Sequence, residues 1–173
     1  MAFGPQFYFT ETKSQNLQIL ASPGLIVNGD VDKYGSIEIS MFYFRSSFTR
    51  QDGNYRVTES IKRLSITSGY RHWFNSFFSF GGGFSASYTI GDSETVSNNF
   101  PPGQVPKTSA SDVTEYGVDL SLQAEPWVKD RWSVLMDARW NYSLTSKPSE
   151  NQNSYAVMVG LKYLLESRTK DLK

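Results

Sequence analysis

The chain has no cysteine among its 173 residues. Disulfides, thiolate nucleophiles and cysteine-based zinc sites are therefore excluded together. Nor does it carry an excess of charge of either sign: 17 Lys and Arg stand against 17 Asp and Glu, so the formal net charge is zero. Nucleic-acid binding normally shows as a basic excess and is not expected. No stretch approaches the ~18 consecutive apolar residues of a transmembrane helix. The opening Met1-Ala2-Phe3-Gly4-Pro5 lacks the charged and apolar regions of a secretory signal. A cytosolic chain and a mature secreted domain both fit such a beginning, and the fold has to decide between them. Helical 3.6-residue periodicity is missing throughout. One membrane class survives all of these absences. The strands of a membrane β-barrel carry only alternate apolar residues and average out as polar, which fits a mean hydropathy of −0.42.

What the sequence does have is aromatic residues, at 15%, and period-two alternation, the mark of strands with one apolar and one polar face. Phe78, Phe80, Gly82, Phe84, Ala86, Tyr88 and Ile90 share one face, against Ser79, Gly81, Gly83, Ser85, Ser87 and Thr89. Tyr116, Val118, Leu120, Leu122, Ala124 and Pro126 oppose Gly117, Asp119, Ser121, Gln123 and Glu125. Trp132, Val134, Met136, Ala138, Trp140, Tyr142 and Leu144 form a third such set, and Tyr155, Val157, Val159, Leu161, Tyr163 and Leu165 a fourth. The first half is less regular. Ile37, Ile39, Met41 and Tyr43 alternate, but Phe42, Phe44 and Phe48 fall on the other face, and a bulge near residues 42–45 is expected to repair the phase. Leu64, Ile66 and Tyr70 keep one phase while Val57 and Ile61 keep the other.

Eight strands follow, at roughly 3–12, 17–27, 35–49, 56–71, 77–91, 112–126, 132–145 and 153–165. The expected architecture is all-β: an eight-stranded antiparallel up-and-down transmembrane β-barrel. It forms a single domain over residues 1–165 with a polar C-terminal tail at 166–173. Connections after the fourth and sixth strands are tight. The one after the fifth, from Asp92 to Ser111, is long and holds Pro101, Pro102 and Pro106. That segment is expected to remain an exposed irregular loop, because it has too little apolar surface to order itself. Those after the third and seventh contain Asp52-Gly53-Asn54 and Lys147-Pro148-Ser149-Glu150. Short turns at one end and longer loops at the other mark outer-membrane barrels. The short link near Lys13 to Asn16 departs from that pattern.

Alternation alone does not say which face points outward, and a soluble lipocalin-like ligand-binding barrel would put the apolar set inside. Three features favour the reverse. The polar face is mostly Ser, Thr, Gly, Gln and Asn, with few Lys, which suits a narrow lumen better than a water-facing wall. The apolar runs span ~11–13 residues, enough to cross a hydrocarbon layer of ~25–30 Å when tilted. The aromatics gather at both ends of those runs. Trp73, Phe77, Phe78, Trp127 and Trp132 lie toward the tight turns, and Tyr88, Tyr116, Trp140, Tyr142 and Tyr155 toward the loops. Trp73, Trp127, Trp132, Trp140 and Tyr142 are thus expected at the two membrane interfaces.

On these features the chain resembles the small eight-stranded outer-membrane barrels, the family of the outer membrane protein A transmembrane domain and outer membrane protein X. The resemblance covers nearly the whole chain. It includes a final strand, Gly160-Leu161-Lys162-Tyr163-Leu164-Leu165, similar to the family's insertion signal of a Gly followed by alternate hydrophobics. The strand departs from that signal in lacking a terminal aromatic and in running on for eight polar residues. The resemblance implies an integral protein of the bacterial outer membrane, with the lipids of that membrane as its surroundings and an envelope protein as a partner met through the loops or outer wall.

Charges on the polar faces are Glu38, Arg63, Glu115, Asp119, Asp137, Arg139 and Lys162. Inside a narrow barrel they must be paired, because isolated burial of charge is costly. A lumen plugged by ion pairs is the leading expectation. A narrow pore for water, ions or small solutes is the alternative. Some barrels of this size edit lipid A with a Ser–His pair at the outer leaflet, but the single histidine, His72, falls in a tight turn on the opposite side. No enzymatic activity, cofactor or metal is expected. Asn28-Gly29-Asp30-Val31-Asp32-Lys33 superficially resembles a calcium loop, but Lys33 stands where Gly is required and Ile39 where Glu is required, so a polar turn is expected. Gly81-Gly82-Gly83 precedes no helix and is expected to relieve crowding in a strand rather than to cradle phosphate.

Overall fold

The computed structural model describes residues 1–10, 20–104, 114–145 and 153–165. The expected tail at 166–173, the link near Lys13 to Asn16, the segment Lys147-Pro148-Ser149-Glu150 and residues 105–113 of the long link lie outside them. The described residues form nine strands: β1 (Ala2–Thr10), β2 (Leu20–Asp30), β3 (Gly35–Asp52), β4 (Tyr55–Trp73), β5 (Phe78–Thr89), β6 (Glu94–Asn98), β7 (Glu115–Lys129), β8 (Trp132–Ser143) and β9 (Ser154–Tyr163). Every pairing is antiparallel. The sheet runs β3-β2-β1-β9-β8-β7-β5-β4, and a further β3–β4 pairing closes it into an eight-stranded barrel. β1 meets β9 through Phe3 opposite Leu161 and Phe7 opposite Val157, so the first and last strands form one wall.

Local chemistry shapes the tight end. In the turn between β2 and β3, the Asp32 carboxylate accepts the backbone N–H groups of Tyr34 and Gly35 at 2.7 and 2.6 Å. The calcium-like segment thus spends its acid on its own turn. Asn75 does the same between β4 and β5, accepting the N–H groups of Phe77 and Phe78, each at 2.8 Å. β7 and β8 are joined through Asp130 and Arg131 alone, with Asp130 at φ 52°. Such two-residue hairpin turns need the left-handed conformation, which Asp tolerates better than most residues.

The other end differs from expectation in two respects. β3 and β4 pair continuously from Gly35 opposite His72 to Asp52 opposite Tyr55, with no bulge at 42–45. The phase needs no repair, because Met41 and Tyr43 face outward while Phe42 and Phe44, each 4% exposed, point into the barrel. Register shifts occur instead between Thr58 and Glu59 and between Ala124 and Trp127. The long link is also not wholly irregular. Its residues Glu94–Asn98 form β6, which pairs with β4 from Val57 opposite Asn98 to Ser60 opposite Glu94. β4, at 19 residues against 12 for β5, outruns its neighbour and leaves backbone groups for β6 to satisfy.

The two faces of the wall are distributed inside out relative to a water-soluble barrel. Phe84 is 76% exposed on the outer surface and Leu122 60%. With them stand Ile37, Ile39, Phe80, Met136, Val157, Val159 and Leu161. The interior instead holds Ser36, Ser40, Thr67, Ser79, Ser121, Ser133 and a set of charged residues, with an apolar cluster that includes Ile26, Phe42, Phe44, Leu135 and Met158. A surface this apolar is not what a soluble monomer presents to water. The lipocalin-like alternative requires the opposite arrangement.

Candidate functional site

The lumen is filled by charged side chains stacked in three tiers. At the tight-turn end, Lys162 on β9 bonds Glu125 on β7 at 2.6 Å, and its ammonium lies 4.7 Å from the centre of the Trp73 ring. In the middle, two arginines and three carboxylates converge. Arg71 donates through Nε to Glu38 at 2.6 Å and through its terminal nitrogens to Ser79 and Ser121 at 3.0 and 2.6 Å. It also lies 3.7 Å from Asp137. Arg139 donates to Asp137 at 2.6 Å, Glu38 at 2.5 Å, Asp119 at 3.1 Å and the Ser40 hydroxyl at 2.9 Å. Its guanidinium lies 4.8 Å from the centre of the Phe42 ring. Toward the loops, Arg63 holds Glu115 in a bidentate pair at 2.9 and 3.0 Å. Such forked Arg–carboxylate bonds are the stronger kind of ion pair and are directional.

Strand register builds this arrangement. Gly81, Ser121 and Arg139 occupy one row across β5, β7 and β8, and Gly81 is also the partner of Arg71 on β4. A Cβ at Gly81 would stand 2.9 Å from an Arg71 terminal nitrogen and 2.8 Å from the Ser121 hydroxyl. The glycine therefore makes room for the guanidinium. Buried charges are tolerated only when paired and hydrogen-bonded on all sides, and serine hydroxyls supply the remaining acceptors here.

All seven expected lumen charges (Glu38, Arg63, Glu115, Asp119, Asp137, Arg139 and Lys162) point inward and carry ion pairs. Sequence reasoning missed Arg71 and Glu125. Both were available from parity: Arg71 shares the odd-numbered face of β4 with Arg63, and Glu125 continues the polar set of Asp119 and Gln123. Trp127, Trp132, Trp140 and Tyr142 lie on the outer surface. Trp132 packs on Tyr163 with ring centres 4.8 Å apart, and Trp140 on Tyr142 at 6.1 Å. Trp73 requires a correction. It is 1% exposed and lies inside the barrel against Lys162, not at an interface. The physical reason is again parity, since Trp73 stands on the same face as Arg63 and Arg71. His72, one residue earlier, is exposed beside Tyr34 and Phe74.

Between the middle tier and the Arg63–Glu115 pair lies a cavity of about 30 Å³. Its lining includes Asp119, Asn141, Ser143 and Ser154. A space of this size holds roughly one or two waters.

No family model matches the chain, and no curated protein matches it in sequence. Solved structures do match. Ail, the attachment invasion locus protein of Yersinia pestis, in complex with the heparin analogue sucrose octasulfate, aligns with a TM-score of 0.56 at 13% identity over 94% of each chain. Ail in a phospholipid bilayer nanodisc aligns at 0.54 and 17% identity, over 94% of this chain and 96% of that one. The outer membrane protein OprG from Pseudomonas aeruginosa aligns at 0.57 and 9% identity, over 94% of each. The fold is that of the small eight-stranded outer-membrane β-barrels.

Proposed function

We propose that this protein is a non-enzymatic integral protein of a bacterial outer membrane, with a lumen closed by ion pairs and with its loops or outer wall meeting an envelope partner. The observation that carries this reading is the inside-out wall: a continuous guanidinium–carboxylate network within and an apolar belt without. Along β8, the step from Trp132 to Tyr142 covers about 25 Å of membrane thickness at ~3.3 Å per residue and ~40° tilt. The lipids of that membrane are then the principal neighbours of the outer face. A narrow pore is the competing reading, and the tiered ion pairs across the lumen count against it.

Two measurements test the proposal. The protein is expected to leave cell envelopes only with detergent and to migrate faster on gels unboiled than boiled. In planar bilayers it is expected to conduct poorly. Extraction by buffer alone would sink the membrane reading, and a stable, large single-channel conductance would replace the plugged barrel with the pore.

A further inference from the structure

The outer wall is not evenly clad. From the middle of the apolar belt toward the tight turns, two alanines stand where their neighbours carry large apolar side chains. Ala124 lies in one row between Phe78 on β5 and Met136 on β8. Ala138 lies in the next row, between Leu122 on β7 and Val157 on β9. Residues directly opposite on one face are about 4.5–5.5 Å apart at Cβ. The alanines therefore leave a trough with Leu122 on one bank and Met136 on the other, a groove of about 310 Å³. Ser79, Gln123 and Asp137 also border it, but their side chains are buried on the lumen side, so the surface it presents is apolar. Phe74, in the turn between β4 and β5, adds a further wall. Its N–H donates to the Phe78 carbonyl at 3.0 Å, and the His72 ring packs edge-on with centres 5.5 Å apart, so this wall is held in place.

The bulge in β7 carries this groove to the membrane interface. Leu122 and Ala124 face outward, and strict alternation from them would turn Trp127 and Lys129 into the lumen. The register shift between Ala124 and Trp127 changes the phase. Trp127 then pairs with Val134 and Lys129 with Trp132, on the outward rows of β8. Pro126 lies within the shift, as prolines in the interior of a sheet do. Bulges re-aim side chains in this way. One outward column of β7 thus reads Lys129, Trp127, Ala124, with Trp132 beside it. Both tryptophans are half-exposed, and Lys129 is exposed. At ~3.3 Å per residue and ~40° tilt, the four steps from Trp132 to Met136 put Lys129 about 10 Å of membrane thickness from the Ala124 row.

We propose that this groove binds one anionic glycerophospholipid from the leaflet on the tight-turn side, with an acyl chain in the Ala124–Ala138 trough and its phosphate on Lys129. Interfacial tryptophans mark the depth at which headgroups meet hydrocarbon, and Trp127 and Trp132 stand between the trough and the ammonium. A chain lying on the alanines approaches the wall closely and supplies contact atoms to a lining that otherwise lacks them. Lys129 provides the charge that selects an anionic headgroup over a zwitterionic one. The turn Lys129-Asp130-Arg131 sets two cations against one carboxylate and is positive as a whole. The site rests on the membrane reading proposed above. Detergent dependence tests that reading by itself, whereas lipid selection is measured on protein already extracted and folded in micelles.

The experiment is native mass spectrometry of the folded protein, released from micelles doped with equal amounts of phosphatidylglycerol and phosphatidylcholine bearing the same chains. One phosphatidylglycerol is expected to stay bound in several-fold preference to phosphatidylcholine. Lys129→Gln should bring the two lipids close to parity. Lys33→Gln, in the turn between β2 and β3, should leave the preference unchanged. Ala138→Leu fills the trough and should lower retention of both lipids several-fold. Faster migration of the unboiled protein on gels reports that each variant is folded. Should Ala138→Leu not fold, Lys129→Gln leaves the wall untouched and decides the matter. A preference that survives Lys129→Gln, or that Lys33→Gln reduces equally, overturns the proposal, as does full retention in Ala138→Leu. A concentration-dependent dimer that Ala138→Leu abolishes would also overturn it, by giving the groove to a second copy of the chain.

Discussion

The Arg139 guanidinium on β8 reaches the Glu38 carboxylate on β3 at 2.5 Å, although the two strands stand diametrically opposite in the barrel. Counted one way, β2, β1 and β9 separate them; counted the other, β4, β5 and β7 do. The bond is therefore a cross-tie through the lumen rather than a contact along the wall. It meets the Arg71–Glu38 bond on the same carboxylate, so the middle tier acts as one network.

Breaking that tie should be expensive. Arg139→Ala leaves Asp119 without its guanidinium and Glu38 and Asp137 with Arg71 alone, and is expected to destabilise by about 3–5 kcal/mol. The double change with Glu38→Ala should cost less than the two single changes added together, with a coupling of roughly 0.5–3 kcal/mol in denaturant unfolding from micelles. Strict additivity would mean that the two groups do not act as a pair.

The outer wall makes a separate prediction. Leu120 on β7 pairs with Gly82 and Trp140 and lies on the outward face. Arginine there should destabilise by ~2–4 kcal/mol if the position is near the bilayer midplane. Spin labels at Leu120 and Met136 should be accessible to lipid-phase oxygen and shielded from water-soluble relaxants, and the reverse pattern would place this face in water.

The tryptophans should separate into two groups. In single-tryptophan variants reconstituted with brominated lipids, Trp132 and Trp140 should be quenched. Trp73, sealed under Lys162, should not. Quenching of Trp73 comparable to that of Trp132 would return it to the interface.

The hold of β6 on β4 should weaken in acid. Outside the membrane-spanning part, Lys62 donates to Glu94 at 2.6 Å. That hydrogen bond, reinforced by the charge of the ammonium, holds the Glu94 carboxyl below the ordinary carboxylate range. An acid depressed in this way contributes stability above its unfolded pKa and loses it as pH falls through the folded value. The pair is exposed, so the effect should be small and screened by salt. NMR shifts of the Thr95 and Val96 amides should move together as pH falls through the depressed Glu94 range, and Lys62→Ala should shift that transition upward. An unmoved transition would show that Lys62 does not control it.

Much of the strand plan lies in the sequence itself. A side chain on a strand alternates sides whatever the strand's neighbours, so parity groups Phe80 with Phe84 and Asp119 with Gln123 before any fold is known. The same rule reaches Arg71 and Trp73 once Arg63 is taken as the reference for its face on β4, and Glu125 from Asp119 and Gln123 on β7. Phe42 and Phe44 show where patterning misleads. An apolar pair in the inward phase looks like a register fault until the lumen is seen to have an apolar cluster with an Arg139 guanidinium beside it. β6 is a similar case, because its polar residues form a strand only where β4 leaves an unpaired edge.

Composition, charge balance and alternation by themselves determined that this is a barrel of two-faced strands with tight turns at one end. The tertiary structure alone decided which charge meets which across the lumen, and that Trp73, Phe42 and Phe44 point inward. The physical reason is that alternation is a local property of each strand, whereas Arg139 meets Glu38 only when strand register and barrel closure have brought opposite walls together. Those non-local constraints also place Asp119 beside the cavity that Asn141, Ser143 and Ser154 help to line.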